Sequence, residues 1–341
     1  MNYLEIVKNV LTNGKPKQAT RYAPDGSVIQ VENGTIGTFC EIFRHDMGQG
    51  FPLTTLRKMP WKSIRVELEG FIKGITDKKW FQDRNCKFWD EWCSPKAVSE
   101  YLTGPENGED FAKILAVPIG GSQAAADEVI KRIKRGGIDL GPIYGSQWRN
   151  FGKHYIDHTN KDMVVELEHT FVSDCNGLME GEDQLHSIVT KLHNSPYDRR
   201  MVCSAWNPNQ EFLMALPPCH ILFNVVVYGN KLNLTWFQRS CDLSHGVPAN
   251  IASYALLLLL LCEESGLEPG ELVGVLSDCH LYENTLPSVR ELVKREESVL
   301  PQVKIKRKQD GAFDIFSWTY DEVELIGYNP QEKMDMGEVT V

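Results

Sequence analysis

Cys219 follows Pro217 and Pro218 and stands immediately before a β-rich run from His220 to Tyr228. A thiol on stiff backbone can be aimed, and a fixed cation nearby favours the thiolate, the form that attacks carbon. Arg239 is the candidate cation. Gly229 and Asn230 supply turn chemistry, and Leu232, Leu234 and Trp236 then alternate with Asn233 and Thr235, so the spacing predicts a hairpin whose returning strand brings Arg239 back towards Cys219. The bland reading is a buried core thiol, the common fate of free cysteine.

Three further groups have the right chemistry. Glu67 lies in a predicted helix from Trp61 to Phe71 that Gly74 stops. A carboxylate on a buried helix face can relay protons when burial raises its pKa, although most helical glutamates are simply exposed. Arg199 and Arg200 suit bidentate recognition of a phosphate, against the plainer reading of a surface pair on a strand edge. Trp89 and Trp92 flank Asp90-Glu91 and serve either as core packing or as dry walls for a flat ring. His154, His158 and His169 match no ligand spacing on one helix face, and the nine cysteines include no CxxC. The expectation is therefore no metal, no disulfide framework and reduced thiols.

The elements that must hold these groups follow from periodicity. Met1 to Leu11 predicts an amphipathic helix with Leu4, Val7 and Leu11 on one side. Ser27 to Phe43 alternates towards strand, interrupted at Asn33-Gly34. Asp183 to His193 predicts a helix through Leu185, Ile188, Val189 and Leu192. Arg199-Arg200 opens a strand. Ile251 to Cys262 is apolar on all faces and predicts a buried helix, broken by Gly266, Pro269 and Gly270. Leu272 to Leu276 reads as strand, Pro287 to Arg295 as helix, and Val303 to Arg307 and Phe316 to Glu324 as strands.

A chain of 341 residues with 42% hydrophobic residues can bury a large core. A net charge of −10 argues against a general nucleic-acid surface; an anionic substrate would need a local arginine cluster. The run Ala255 to Cys262 is too short to span a bilayer, and the amino terminus has no signal-peptide pattern. No membrane association and a cytoplasmic location are expected.

PPCH, FQRSCD, GVP followed by NIASYALLLLL, and DCHLYEN, together with FPLTT, WDEW, GPIYGSQWR, DRR before SAWNP, and IKRK, resemble the thymidylate synthase family in order and separation from Phe51 to Tyr328. The resemblance implies an α+β fold, a large, mixed, mostly antiparallel twisted sheet covered by helices on one side, with the other face as a homodimer contact. It implies one domain over residues 1–341 with an insertion at 93–138, within which Ala124 to Arg135 reads as helix. The implied activity is reductive methylation of dUMP to dTMP with 5,10-methylenetetrahydrofolate, through a Cys219 adduct at C6. Arg239, Ser240 and, across the dimer, Arg199 and Arg200 would bind the phosphate. Asn250 would read the pyrimidine, and His280 and Tyr282 the deoxyribose hydroxyl. Glu67, Tyr144 and His220 would order the proton relay. Asp242 would bind the pterin, and Trp89, Trp92 and Leu216 would wall the folate.

The sequence departs from the pattern at Asn33, where a loop arginine is expected with Arg21 upstream, and at Gly70, His245, Ala249 and the closing segment. These departures keep two other readings in view: a dUMP 5-hydroxymethylase, in which water replaces hydride, and a catalytically silent nucleotide-binding protein.

Overall fold

The computed structural model describes residues 1–22, 28–31, 33–92, 139–152, 181–211, 214–306 and 313–338. The expected insertion at 93–138, its helix from Ala124 to Arg135, and His154, His158 and His169 lie outside the described residues, as does the Arg21 side chain.

Ten strands are described: β1 Lys15–Lys17, β2 Thr20–Tyr22, β3 Val28–Gln30, β4 Thr35–Asp46, β5 Val202–Ser204, β6 His220–Tyr228, β7 Lys231–Asp242, β8 Glu268–Tyr282, β9 Gln302–Ile305 and β10 Val323–Ile326. Six form one sheet in the order β1-β4-β8-β7-β6-β5. Every pairing in it is antiparallel except β7 with β8. A parallel pair needs a crossover, and the helix that makes it is α6, Gly246–Ser265.

The other α-helices among the described residues are α1 Tyr3–Asn13, α2 Trp61–Ile72, α3 Lys78–Asp83, α4 Tyr144–Asn150, α5 Gln184–Asn194 and α7 Leu286–Leu292. α6 lies on β7 and β8, α1 packs on β4, and α2 sits between α6 and α4. The core is continuous through these layers. Leu256, Leu257, Leu258, Leu260 and Leu261 are all fully enclosed, and each such side chain stabilises the fold by roughly 1.5–3 kcal/mol. By length and composition α6 could cross a membrane, but two-thirds of its apolar window is buried inside the protein. Its leucines form the core.

Local chemistry explains where the elements differ from expectation. α1 starts with a capping box, in which the Asn2 side chain accepts from Glu5 N–H and the Glu5 carboxylate accepts from Asn2 N–H. Its buried stripe is Tyr3, Ile6, Val7 and Val10; Leu4 and Leu11 only flank it. α5 buries Leu185, Ile188, Val189 and Leu192 as expected. β5 begins two residues after the arginines, which stay in the preceding turn. β8 is one strand of 15 residues, taking in both Pro269 and the DCHLY segment. Pro269 is tolerated because it lies next to a register shift in β7 between Leu232 and Leu234. Most of Phe316 to Glu324 is turn, not strand: Asp314 accepts from Phe316 N–H and Glu322 from Thr319 N–H, and local bonds of this kind compete with a ladder.

Gly70 does not leave a hole. A Cβ built there would lie 2.4 Å from Phe81 Cε1 and 2.5 Å from Cζ, because α3 presses its phenylalanine against the α2 backbone. We expect Gly70→Ala to lose about 1–2 kcal/mol in denaturant melts even though alanine favours a helix over glycine by roughly 1 kcal/mol. Phe81→Leu in the same chain should recover part of that loss. A stabilised Gly70→Ala protein would show the contact to be soft.

Candidate active site

The β6–β7 hairpin closes at Gly229 and Asn230, with Tyr228 opposite Lys231 and Gly229 at φ +62°, a conformation that glycine adopts without strain. From this turn the register runs back to His220 opposite Gln238, and Arg239 N–H donates to the Cys219 carbonyl at 2.8 Å. The predicted approach of Arg239 to Cys219 is therefore realised. The guanidinium is held rather than free: Nε donates to the Pro218 carbonyl at 2.9 Å and Nη2 to the Pro217 carbonyl at 3.0 Å. The two prolines leave those carbonyls available, and Arg239 clamps the turn that presents the sulfur.

Cys219 is half-buried. Burial pushes its thiol pKa up; the Arg239 charge and the Tyr144 hydrogen bond pull it down, while the Asp242 carboxylate adds to the rise. The balance is upward. At rest the group is a thiol, because the cost of desolvating sulfur exceeds the attraction of one nearby guanidinium.

Tyr144, at the start of α4, touches this centre directly. Its hydroxyl oxygen accepts from Cys219 N–H at 2.7 Å, and its ring stacks on His220 with centroids 4.1 Å apart. His220 Nδ1 lies 2.8 Å from the Tyr254 hydroxyl. Burial lowers the His220 pKa to about 3, so the ring is neutral at physiological pH and acts as an orienting group.

Glu67 faces the same aromatic cluster. Trp89 Nε1 donates to its Oε1 at 2.9 Å, and Trp89 meets Phe71 and Tyr144 edge-on. Burial raises the Glu67 pKa to about 7, with the Trp89 bond pulling weakly the other way. A carboxyl poised near neutrality can both give and take a proton. Glu69, two residues on, is more deeply buried but is spent on structure, binding Lys73 Nζ and Tyr320 N–H.

Asn250 lies in the first turns of α6, and its Oδ1 accepts from Gln238 Nε2 at 3.1 Å. Gln238 also donates to the Ser240 carbonyl and accepts from Trp236 Nε1. That chain of bonds fixes which way the asparagine amide points, leaving its NH₂ free to donate and one lone pair to accept. Asp242 ends β7 opposite His280. Burial pushes its carboxyl up, but the hydrogen bond from His245, the charges of His245 and His280, and the Ser244 N–H together hold it below the usual carboxylate range. His280 is buried, with Nδ1 2.9 Å from the Asp278 carbonyl and its ring edge-on to Tyr282. Burial raises the Tyr282 pKa to about 12, so that phenol stays protonated.

Ser240 is half-buried on β7, and Leu216 and Trp92 pack partly buried against the core. Arg199 and Arg200 are not drawn into this cluster within the chain. Both are exposed in the turn before β5, and Arg200 pairs with its own neighbour Asp198 at 3.1 Å.

Three contributors went unread in the sequence. Gln238 sat inside FQRSCD and Tyr254 inside NIASYA, so the motif carried them without their roles being drawn. Arg57, after FPLTT, is buried and donates Nη2 to the Ser244 carbonyl at 2.6 Å. An arginine beside buried threonines was the available signal.

A carboxyl titrating near neutrality, an aimed cysteine, and an amide with both functions presented define a site for covalent attack on a polar ring with proton relay. Comparison with known proteins gives the same class. The thymidylate synthase family model matches residues 1–340. The chain is similar to the thymidylate synthase of Mycoplasma genitalium, 33% identical over 337 residues that cover 96% of this chain and 95% of that one. It is similar to the thymidylate synthase of Mycoplasma pneumoniae, 32% identical over 346 residues covering 99% of each. It also matches the bifunctional dihydrofolate reductase-thymidylate synthase 2 of Arabidopsis thaliana, 33% identical over 98% of this chain but only 49% of that protein. This chain is an enzyme of the thymidylate synthase family.

Proposed function

We propose that this protein methylates dUMP to dTMP with 5,10-methylenetetrahydrofolate. The observation that carries the reading is the joint geometry of Cys219, Arg239 and the Gln238–Asn250 pair. Uracil C5 is a poor nucleophile. Addition of the Cys219 sulfur to C6 makes C5 an enolate carbon able to attack a one-carbon electrophile. Asn250 donates to O4 and accepts from N3–H. Cytosine reverses those two functions, so the amide selects uracil.

The folate supplies the one-carbon unit and the hydride. Asp242, ionised and partly exposed, suits the N–H groups of a pterin. Trp89, Trp92 and Leu216 wall it, and Glu67 moves protons at O4 in a network with Tyr144 and His220. Arg239 and Ser240 bind the phosphate, joined by Arg199 and Arg200 from a second copy. Their exposure in one chain supports that reading, as do Phe39, Val202 and Tyr228, large apolar side chains left open on sheet strands. A cytoplasmic homodimer of one-domain chains is the proposed form, with the continuous core in support of the single domain.

The test is incubation with 5-fluoro-dUMP and methylenetetrahydrofolate, then product analysis with dUMP. A covalent ternary complex at Cys219, with dTMP and dihydrofolate as products, is expected. Its absence in folded protein would overturn the reading. Hydroxymethyl-dUMP without dihydrofolate would favour the hydroxymethylase, the reading supported by the departures from the family pattern at His245 and Ala249.

A further inference from the structure

His245 sits between β7 and α6 with both ring nitrogens engaged. Nδ1 is 3.2 Å from Asp242 Oδ2, and Nε2 is 3.2 Å from the Gly337 carbonyl oxygen in the C-terminal segment. A carbonyl oxygen only accepts, and the Asp242 carboxylate, held ionised, only accepts as well. Each nitrogen must then carry a hydrogen. A neutral imidazole has one N–H and satisfies one of the two partners; an imidazolium satisfies both.

We propose that His245 is a positioning residue of the reaction, an imidazolium clasp that ties the C-terminal segment at Gly337 to the carboxylate of Asp242. The segment has few other anchors near this point. Asn284 Nδ2 donates to the Glu338 carbonyl at 3.1 Å, and Met336 is buried. The groups around the clasp come from several elements. Asp242 ends β7 with His280 of β8 acting on it, Arg57 holds the adjacent Ser244 carbonyl, and Asp335 and Glu338 flank Gly337, whose N–H donates to Asp335 Oδ1. Asp242 is also fixed on its other oxygen, which accepts from Ser244 N–H at 2.7 Å. The clasp therefore presents the carboxylate already oriented and holds the segment at Gly337 against it.

The part of this inference that concerns the pterin rests on the reading of Asp242 given above; the part that concerns the segment does not. The test uses the full-length, ligand-free protein. Hydrogen exchange over residues 330–338 is followed at one fixed pH in the parent and in two His245 variants, corrected for intrinsic exchange. Protection should be roughly tenfold greater in the parent than in His245→Leu, and largely kept in His245→Arg, whose several N–H donors can meet both acceptors.

Kinetics supply the second readout. His245→Leu should raise KM for methylenetetrahydrofolate roughly five- to tenfold with kcat within about twofold. Equal protection in the parent and His245→Leu overturns the clasp, and an unmoved folate KM in His245→Leu overturns its link to Asp242. A parent that forms no ternary complex with 5-fluoro-dUMP would sink the reading of the site, and exchange in the segment would still decide whether the clasp exists.

Discussion

Cys219→Ala is expected to abolish turnover, lowering kcat by roughly 10⁴-fold or more, because in the proposed reaction the Cys219 sulfur forms the bond to uracil C6 that turns C5 into a nucleophile. The variant should stay folded. Cys219 is half-buried, and the surrounding clamp consists of the Arg239 bonds to the carbonyls of Pro217 and Pro218 and the backbone bond from Arg239 N–H to the residue 219 carbonyl, none of which uses sulfur. dUMP affinity should change little for the same reason. Denaturing mass spectrometry with 5-fluoro-dUMP and the folate should give an adduct in the parent and none in the variant. Retained turnover would place the nucleophile elsewhere. The resting thiol adds a kinetic expectation: since burial outweighs the pull of Arg239, the thiolate must form in the bound complex, and iodoacetamide should react slowly with the free enzyme below the ordinary thiol pKa of about 8.5.

Glu67→Gln is expected to lower kcat by roughly 10²- to 10⁴-fold, the range for a lost general acid–base, and to remove the limb of the pH–rate profile near 7 that its carboxyl supplies. The amide can still accept from Trp89 Nε1, so the aromatic wall should hold. Stability should move the opposite way. Burial raises the Glu67 pKa from 4.5 to about 7, so across that window the folded chain keeps a proton that the unfolded chain releases. Stability therefore falls as pH rises through the window, and the cost is fully present above about 7. Glutamine does not ionise, and Glu67→Gln should melt higher than the parent at alkaline pH, by roughly 2 °C. A variant that is both fully active and unchanged in its pH profile would remove Glu67 from the relay.

The hairpin, the position of Arg239 and the core helix were legible because each rests on local pattern: turn residues, alternation, and an apolar run long enough to have only one use. β8 was read short because Pro269, Gly270 and the polar Asp278 interrupt a local pattern, whereas pairing with two neighbours holds the strand together over its whole length. The departure at Gly70 had no visible reason in the sequence because what packs against it, Phe81, comes from another helix. The upward push of burial on the Cys219 thiol was hidden for a related cause: charge proximity is visible in a hairpin register, but desolvation depends on everything packed around the sulfur. Gln238 and Tyr254 were hidden because their role is to hold Asn250 and His220, and a side chain that orients another leaves no periodic trace.

β8 lies between β4 and β7, one pairing partner contributed by residues 35–46 and the other by residues 231–242. A nascent chain on the ribosome that has not yet emerged as far as Glu268 would hold both of those strands with unsatisfied edges facing one another, the arrangement most open to pairing with a foreign strand. Completion of the sheet must wait for a segment made late in translation. Until then the half-made protein is a natural client for a chaperone.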